Sequence, residues 1–159
     1  MKTLREILAA LGLLFAILIA TYGCFTLPQQ FPTHFDANNI ADGWSGKSSL
    51  WSEPAIACVV YVVMTLVRFL PPSSFSGPFN EEQRAAAIPI CLDMVAWMKA
   101  EMTWIFAGAT WLMIALAQGH NPEKLTLWFI FPVSGVVFAT GIYHIARMMR
   151  LKPEKSAVQ

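Results

Sequence analysis

The sequence predicts an all-α integral membrane protein with four transmembrane helices and one ordered cap between helices 1 and 2. Of its 159 residues, 56% are hydrophobic and 13% are charged, which is too little charge for the surface of a soluble domain of this length. Four apolar runs are each about 20 residues or longer, enough to cross a hydrocarbon core about 30 Å thick. The only long polar stretch between apolar runs is residues 27–50, the predicted cap.

The first span is predicted at residues 6–26, because an uncharged run reaches from Ile7 through Phe25 behind a basic start. This pattern is shared with secretory signals, but the residues before Cys24 fit a cleavage site poorly, so we expect a retained helix. The second span is predicted at residues 51–70. Ser49 or Ser52 is expected to cap its first turn.

A cytoplasmic loop is predicted at residues 71–86, because Pro71-Pro72 ends the second span and the stretch that follows is rich in Ser, Gly and Pro. The third apolar segment, residues 86–117, is about 45 Å long as a helix, which is longer than a membrane requires. We therefore expect residues 94–117 to cross the bilayer and the earlier turns to lie at the headgroups.

The fourth span is predicted at residues 125–147, followed by a polar cytoplasmic tail at residues 148–159. Pro132 is expected to bend this helix, and neighbouring helices can satisfy the carbonyl that proline frees. Gly135 and Gly141 offer a face for close packing against another helix, within the chain or across an interface.

The distribution of basic residues predicts the orientation, because loops retained in the cytoplasm are enriched in Lys and Arg. If both termini are in the cytoplasm, Lys47 and Lys124 are the only basic residues in the outer loops. We therefore expect a multi-pass protein of the bacterial inner (cytoplasmic) membrane, with both termini cytoplasmic and the cap extracytoplasmic. The basic residues that this orientation places inside are Lys2, Arg5, Arg68, Arg84, Arg147, Arg150, Lys152 and Lys155.

Residues 27–50 have the features of an ordered cap and can form a small hairpin. Pro28 and Pro32 fix their own backbone angles and favour an extended conformation in the residue before each. Asn38-Asn39 and Asp42-Gly43 are turn pairs, since both tolerate left-handed backbone geometry. One face of the extended segment can then lie on the helix ends while the other faces outward.

The cap also contains an ordered set of residues: Leu27-Pro28, Pro32-Thr33-His34-Phe35, Asp42-Gly43-Trp44 and Lys47. This set, followed by a hydrophobic helix, resembles the domain of unknown function at the N-terminus of SdpI-type bacterial immunity proteins, over roughly residues 10–70. Asn39 stands where that family usually has glycine, and both residues accept a positive φ. SdpI-type proteins are usually longer, with additional spans after this region.

The resemblance implies a binding or recognition module that acts through its outer cap. Its motif residues are Pro32, His34, Asp42, Trp44 and Lys47. An alternative for these residues is structural: His34 and Asp42 bond the cap backbone, Trp44 sits at the headgroups, and Lys47 meets a phosphate or carboxylate. Membrane lipids, other membrane subunits or an extracytoplasmic peptide or protein are the expected partners.

No catalytic or nucleotide-binding motif occurs in the sequence, so we expect a non-enzymatic protein without a cofactor. A divalent metal at His34 and Asp42 is a remaining alternative, with Asp36, Glu53, His120 and Glu123 as further oxygen or nitrogen ligands. The three isolated cysteines are expected to pack as small apolar side chains. Without a basic stripe, nucleic acid is not an expected partner.

Three ionisable residues of the third segment, Asp93, Lys99 and Glu101, form a candidate intramembrane or interfacial polar cluster. Ionisable residues inside a bilayer are costly and usually functional, which favours a small transporter. If they lie at the inner interface, they can simply pair with one another or with Arg84. His144 is interpreted as an interfacial histidine. The other alternative function is an accessory subunit that stabilises a larger membrane complex.

Overall fold

The computed structural model describes residues 2–36, 40–75, 80–120 and 122–151, without the side chains of residues 2, 35 and 122–126. Four helices in it are long and apolar enough to cross a membrane, which confirms the predicted fold class. The helices are α1 (Lys2–Thr26), α2 (Ser52–Leu66), α3 (Glu81–Ala117) and α4 (Pro122–Met149), and a hairpin of β1 (Gln30–Phe35) and β2 (Ala41–Gly46) joins α1 to α2.

Helix α3 is the central element, because α1, α2 and α4 all pack against it. Gly12 and Gly23 of α1 lie against Thr103 and Ile114 of α3, so the two helices run parallel. In contrast, α4 runs antiparallel to α3, since Asp93 bonds His144 while Glu101, further along α3, bonds Thr140, which comes earlier in α4. We call the end where α1 begins and α4 ends the base, and the other end the hairpin end.

Small side chains bring α1 and α3 close together. A Cβ atom on Gly12 would lie 2.6 Å from Thr103 Oγ1 and 3.0 Å from the backbone nitrogen of Trp104. Close approach of this kind is how helices gain dispersion energy in a membrane, where no hydrophobic driving force acts between them. The other small residues of this face, Ala9, Ala16 and Ala20, are fully buried.

Helix α4 lies at the periphery and contacts the bundle mainly through α3. Most of its surface is open, with Trp128 81% and Phe138 71% exposed. A Cβ atom on Gly135 or Gly141 would have no described neighbour within 4 Å. The predicted glycine face of this helix is therefore not packed against the described part of its own chain.

The cap is an antiparallel hairpin, but Asp42-Gly43, which the sequence predicts as a turn pair, lies inside β2. Gln30 pairs with Gly46 and Pro32 with Trp44, and the register is irregular on both sides of His34. Phe31 is fully buried and belongs to a core cluster with Ala20, Leu27, Leu50 and Ile114. This side chain ties β1 to the ends of α1 and α3. The predicted Asn38-Asn39 turn lies outside the described residues.

Two helix starts differ from the sequence-based expectations. α3 begins at Glu81 inside the predicted 71–86 loop, because Asn80 and Gln83 form a capping box with reciprocal bonds of 2.7 and 3.2 Å. α2 has no side-chain cap from either serine. A short 3-10 turn at Lys47–Trp51 leads into it, and the Ser52 backbone N–H donates to the Ser49 carbonyl.

Candidate functional site

Three of the five motif residues of the cap project outward from the hairpin. The His34 ring donates through Nδ1 to Asp42 Oδ1 at 2.5 Å, across the two strands. Their side chains are 72% and 48% exposed, and Trp44 is 62% exposed. His34 and Asp42 thus bond each other. We call His34, Asp42 and Trp44 the hairpin face.

The other two motif residues have structural contacts. Lys47 Nζ donates to the backbone carbonyl of Cys24 at 2.6 Å. That carbonyl is in the last turn of α1, where carbonyls lack partners within the helix and the helix dipole favours a cation. Pro32 is half-buried in β1 opposite Trp44. Lys47 therefore bonds a backbone carbonyl, an acceptor that the sequence did not predict.

The residues considered for a divalent metal have separate contacts. Asp36 Oδ1 accepts the backbone N–H of Ile40 at 2.8 Å, and His120 Nδ1 donates to the Ala115 carbonyl at 3.0 Å. Within the described ranges, no group of three or more His, Cys, Asp or Glu side chains is close enough to hold a metal ion. The side chain of Glu123 lies outside the described residues.

A second group of polar side chains lies at the base. Asp93 of α3 accepts bonds from Arg5 of α1 and from Arg147 Nη1 of α4, the latter at 3.1 Å. His144 Nε2 lies 3.3 Å from the same carboxylate, and its Nδ1 donates to the Thr140 carbonyl at 2.9 Å. We call Arg5, Asp93, His144 and Arg147 the basal cluster. It joins three chain segments around one carboxylate.

Lys99 points to the opposite side of α3. Its Nζ donates to Glu6 Oε2 at 2.6 Å and to Thr65 Oγ1 at 3.1 Å, and lies 4.9 Å from the centre of the Tyr61 ring. The Lys99 side chain is almost fully buried, whereas Glu6 is 37% exposed. This residue therefore links α3 to both α1 and α2.

Glu101 has a third environment, where it accepts a bond from the Thr140 hydroxyl. Its Oε2 is buried and has no hydrogen-bond partner among the described residues. Asp93, Lys99 and Glu101 thus do not form one cluster. A helix turns about 100° per residue, so Lys99 lies about 120° from Asp93 and about 160° from Glu101 around α3. Arg84, the other predicted partner, bonds Glu81 at 2.7 Å.

Glu6 and Thr140 had not been recognised from the sequence as site residues. A signal for Glu6 exists, because α1 carries Arg5 before Glu6 and α3 carries Asp93 before Lys99. Because α1 and α3 run parallel and the order of positive and negative charge is reversed between them, Arg5 can pair with Asp93 while Glu6 pairs with Lys99. Thr140 has no comparable signal, since threonines in a hydrophobic helix commonly bond their own backbone.

Comparison with known proteins bears on the first of these two sites. Residues 10–58 match the family model described as Domain of unknown function (DUF1648). This domain is found in SdpI-type proteins, so the resemblance carried by the cap residues is confirmed. No curated protein and no solved structure matches the chain.

The DUF1648 segment has a clear place in the structure. It runs from α1 through the whole hairpin into the first half of α2. All three residues of the hairpin face therefore lie inside it. The basal cluster lies outside, since Arg5 precedes the segment and the other three residues follow it. The two sites are thus separate in the sequence as well as in space.

Proposed function

We propose that this chain is a non-enzymatic protein of the bacterial inner membrane that recognises an extracytoplasmic peptide or protein partner through the hairpin face. One observation carries the proposal: three motif residues project from a hairpin whose attachment to the bundle depends on other residues. Phe31 is buried in the core cluster, and Lys47 bonds the end of α1. The hairpin face is left available for contact.

The exposed motif residues contribute little to the fold. An exposed side-chain contact such as His34–Asp42 is worth about 0–1 kcal/mol. An indole that is 62% exposed leaves most of its apolar area in contact with solvent or headgroups. Tryptophan is one of the residues that most often carry binding energy in protein interfaces. Recognition accounts for this composition better than hairpin stability does.

A photo-crosslinking experiment in native membranes tests the proposal. A photoreactive phenylalanine analogue replaces Trp44, and the same analogue at Trp128, outside the motif, serves as the control. We expect a discrete adduct at position 44 that is lost when His34→Asn and Asp42→Asn are added, while the protein accumulates normally. If the adduct survives these two substitutions, or if the double variant disappears from the membrane, the motif is structural.

The structure of α4 favours an accessory subunit as a second candidate. Its outward surface carries large apolar side chains, including Phe131 at 70% and Phe138 at 71% exposure, beside Gly135 and Gly141 with open space around them. Glycine allows a second helix to approach closely in a membrane. Gentle detergent extraction followed by size analysis distinguishes the candidates, because a monomer without companion chains argues against an accessory subunit.

A further inference from the structure

A groove runs between α1, α3 and α4, with the basal cluster at one end. Its volume is about 1030 Å³, at the upper end of the range of about 300–1,000 Å³ for small-molecule sites. The walls are mostly apolar, and several lining side chains remain open to the outside, among them Trp104 at 42%, Val136 at 56% and Tyr143 at 57% exposure. The apolar lining residues include Trp97, Trp104, Val133, Val136, Ala139 and Tyr143.

The charges at the basal end of the groove favour an anion. Two guanidinium groups, Arg5 and Arg147, share the single carboxylate of Asp93 there. Arg5 is 5% exposed, yet its Nε has no hydrogen-bond partner in the described part of the chain. Aromatic rings hold both groups in place, since Arg5 lies 5.8 Å from the Trp97 ring and Arg147 5.6 Å from the Tyr143 ring. An oxyanion with several oxygen atoms would satisfy these donors.

The basal cluster lies at the level of lipid headgroups. The candidate spans of α1 and α4 are Thr3–Thr26 and Leu127–Met149, each about 35 Å long at 1.5 Å per residue, against a hydrocarbon core of about 30 Å. Arg5 and Arg147 are both within three residues of a span end. The apolar walls extend from there into the hydrocarbon, where an acyl chain would lie.

We propose that this groove is a binding site for one anionic phospholipid, with the phosphate at Arg5 and Arg147 and an acyl chain along Trp104 and Val136. Basic pockets between transmembrane helices are known to bind anionic headgroups, and the open side of the groove gives access from the bilayer. Glu101 also lines the groove. It lies eight residues further along α3, about 12 Å from the level of Asp93, where it bonds Thr140, so its carboxylate is away from the phosphate.

The test is native mass spectrometry of the full chain in a neutral detergent, with dioleoyl phosphatidylglycerol and dioleoyl phosphatidylethanolamine added at equal concentrations. We expect a one-to-one complex favouring the anionic lipid by about fivefold or more, the effect of one basic residue near a lipid surface. Arg147→Gln should reduce that preference about fivefold. Arg147 is the better choice because it is 39% exposed and its loss perturbs the fold less than that of Arg5.

Two matched controls distinguish specific binding in the groove from non-specific electrostatic attraction of the lipid. Arg150→Gln removes the same charge from the exposed end of α4 without lining the groove, and should leave the preference unchanged. Val136→Trp fills the groove without changing charge and should weaken lipid binding, whereas Phe138→Trp on the outward surface should not. Equal losses in Arg147→Gln and Arg150→Gln overturn the proposal. Unchanged lipid binding in Val136→Trp also overturns it, because the basal cluster would then hold the headgroup without an acyl chain in the groove.

Discussion

Lys99 is held inside the bundle by side chains from two other helices. Its ammonium group bonds Glu6 and Thr65 and faces the Tyr61 ring. A buried ammonium without such partners would lose its hydration without compensation. The partner carboxylate differs in that Glu6 is 37% exposed and can reach water or headgroups. Removing Glu6 should therefore destabilise the protein more than removing Lys99.

This inequality predicts an asymmetric result for the two single substitutions. Glu6→Gln leaves a buried ammonium without its charge partner and should reduce the free energy of unfolding by about 2–3 kcal/mol, somewhat below the usual cost for a fully buried pair. Lys99→Met leaves only a half-exposed carboxylate and should cost about 1 kcal/mol. Denaturation by a sodium dodecyl sulfate titration, followed by circular dichroism, measures both. Equal losses, or a larger loss in Lys99→Met, would contradict this assignment.

Lys47 provides the second prediction at the residue scale. Its ammonium group is bonded to the Cys24 carbonyl, and a hydrogen bond with one charged member contributes about 1.5–3 kcal/mol. We expect Lys47→Met to lower the free energy of unfolding by about 1–2 kcal/mol, because the carbonyl can regain water when the hairpin loosens. Ser48→Ala, at an exposed neighbouring position, is the control and should have no measurable effect. A Lys47→Met protein of normal stability would argue for a recognition role instead.

At the scale of elements, α3 packs closely on α1 and, where Gly108 meets Phe129, on α4, while the outward side of α4 is open. α1 and α3 approach closely along a line of glycine and alanine, whereas the glycines of α4 have open space around them. The same substitution should therefore have opposite effects in the two places. All these glycines lie inside helices, so the change in helix propensity is the same, and the difference in stability comes from packing.

Gly12→Ala should destabilise the protein by about 1–3 kcal/mol, the usual cost of overpacking a well-packed contact. Its Cβ atom would meet Thr103 Oγ1 at 2.6 Å, and the backbone of Trp104 at 3.0 Å cannot give way easily. Gly141→Ala should be neutral or stabilising by up to about 1 kcal/mol, because alanine favours the helix and meets no described atom. Thermal unfolding in detergent compares the two variants. Destabilisation of Gly141→Ala would show that another chain occupies that face.

The sequence is a good guide to the elements of this fold and a poor one to their contacts. Hydropathy over about 20 residues reports the spans, because bilayer thickness is a physical constraint. The prolines of the cap favour the extended backbone of β1, whereas Asp42-Gly43, predicted as a turn pair, lies inside β2 because Gly43 pairs with His34. The partners of Asp93, Lys99 and Glu101 could not be read in the same way, because they depend on how each helix is rotated about its axis. The partner of Lys47 could not be predicted either, because it is a backbone carbonyl, which every residue has.

At the scale of the whole molecule, the two candidate sites lie at opposite ends of the bundle. The hairpin face is attached to the ends of α1 and α3 through Phe31, and the basal cluster joins the start of α1 to the end of α4. Helices that cross a bilayer hold such ends on opposite sides of it. A partner at the hairpin and a lipid at the base would therefore be bound in different leaflets or compartments.

The proposed orientation yields a prediction that a labelling experiment can settle. In a background without the native cysteines, Ile40→Cys in the hairpin and Arg150→Cys beyond α4 introduce single thiols at exposed positions. Because basic residues concentrate at the base, the positive-inside rule predicts that this end faces the cytoplasm. A membrane-impermeant maleimide should then label Ile40→Cys in intact cells and label Arg150→Cys only after permeabilisation. The reverse pattern would place the hairpin in the cytoplasm and exclude an extracytoplasmic partner, while labelling of both in intact cells would mean that the two ends share one side of the membrane.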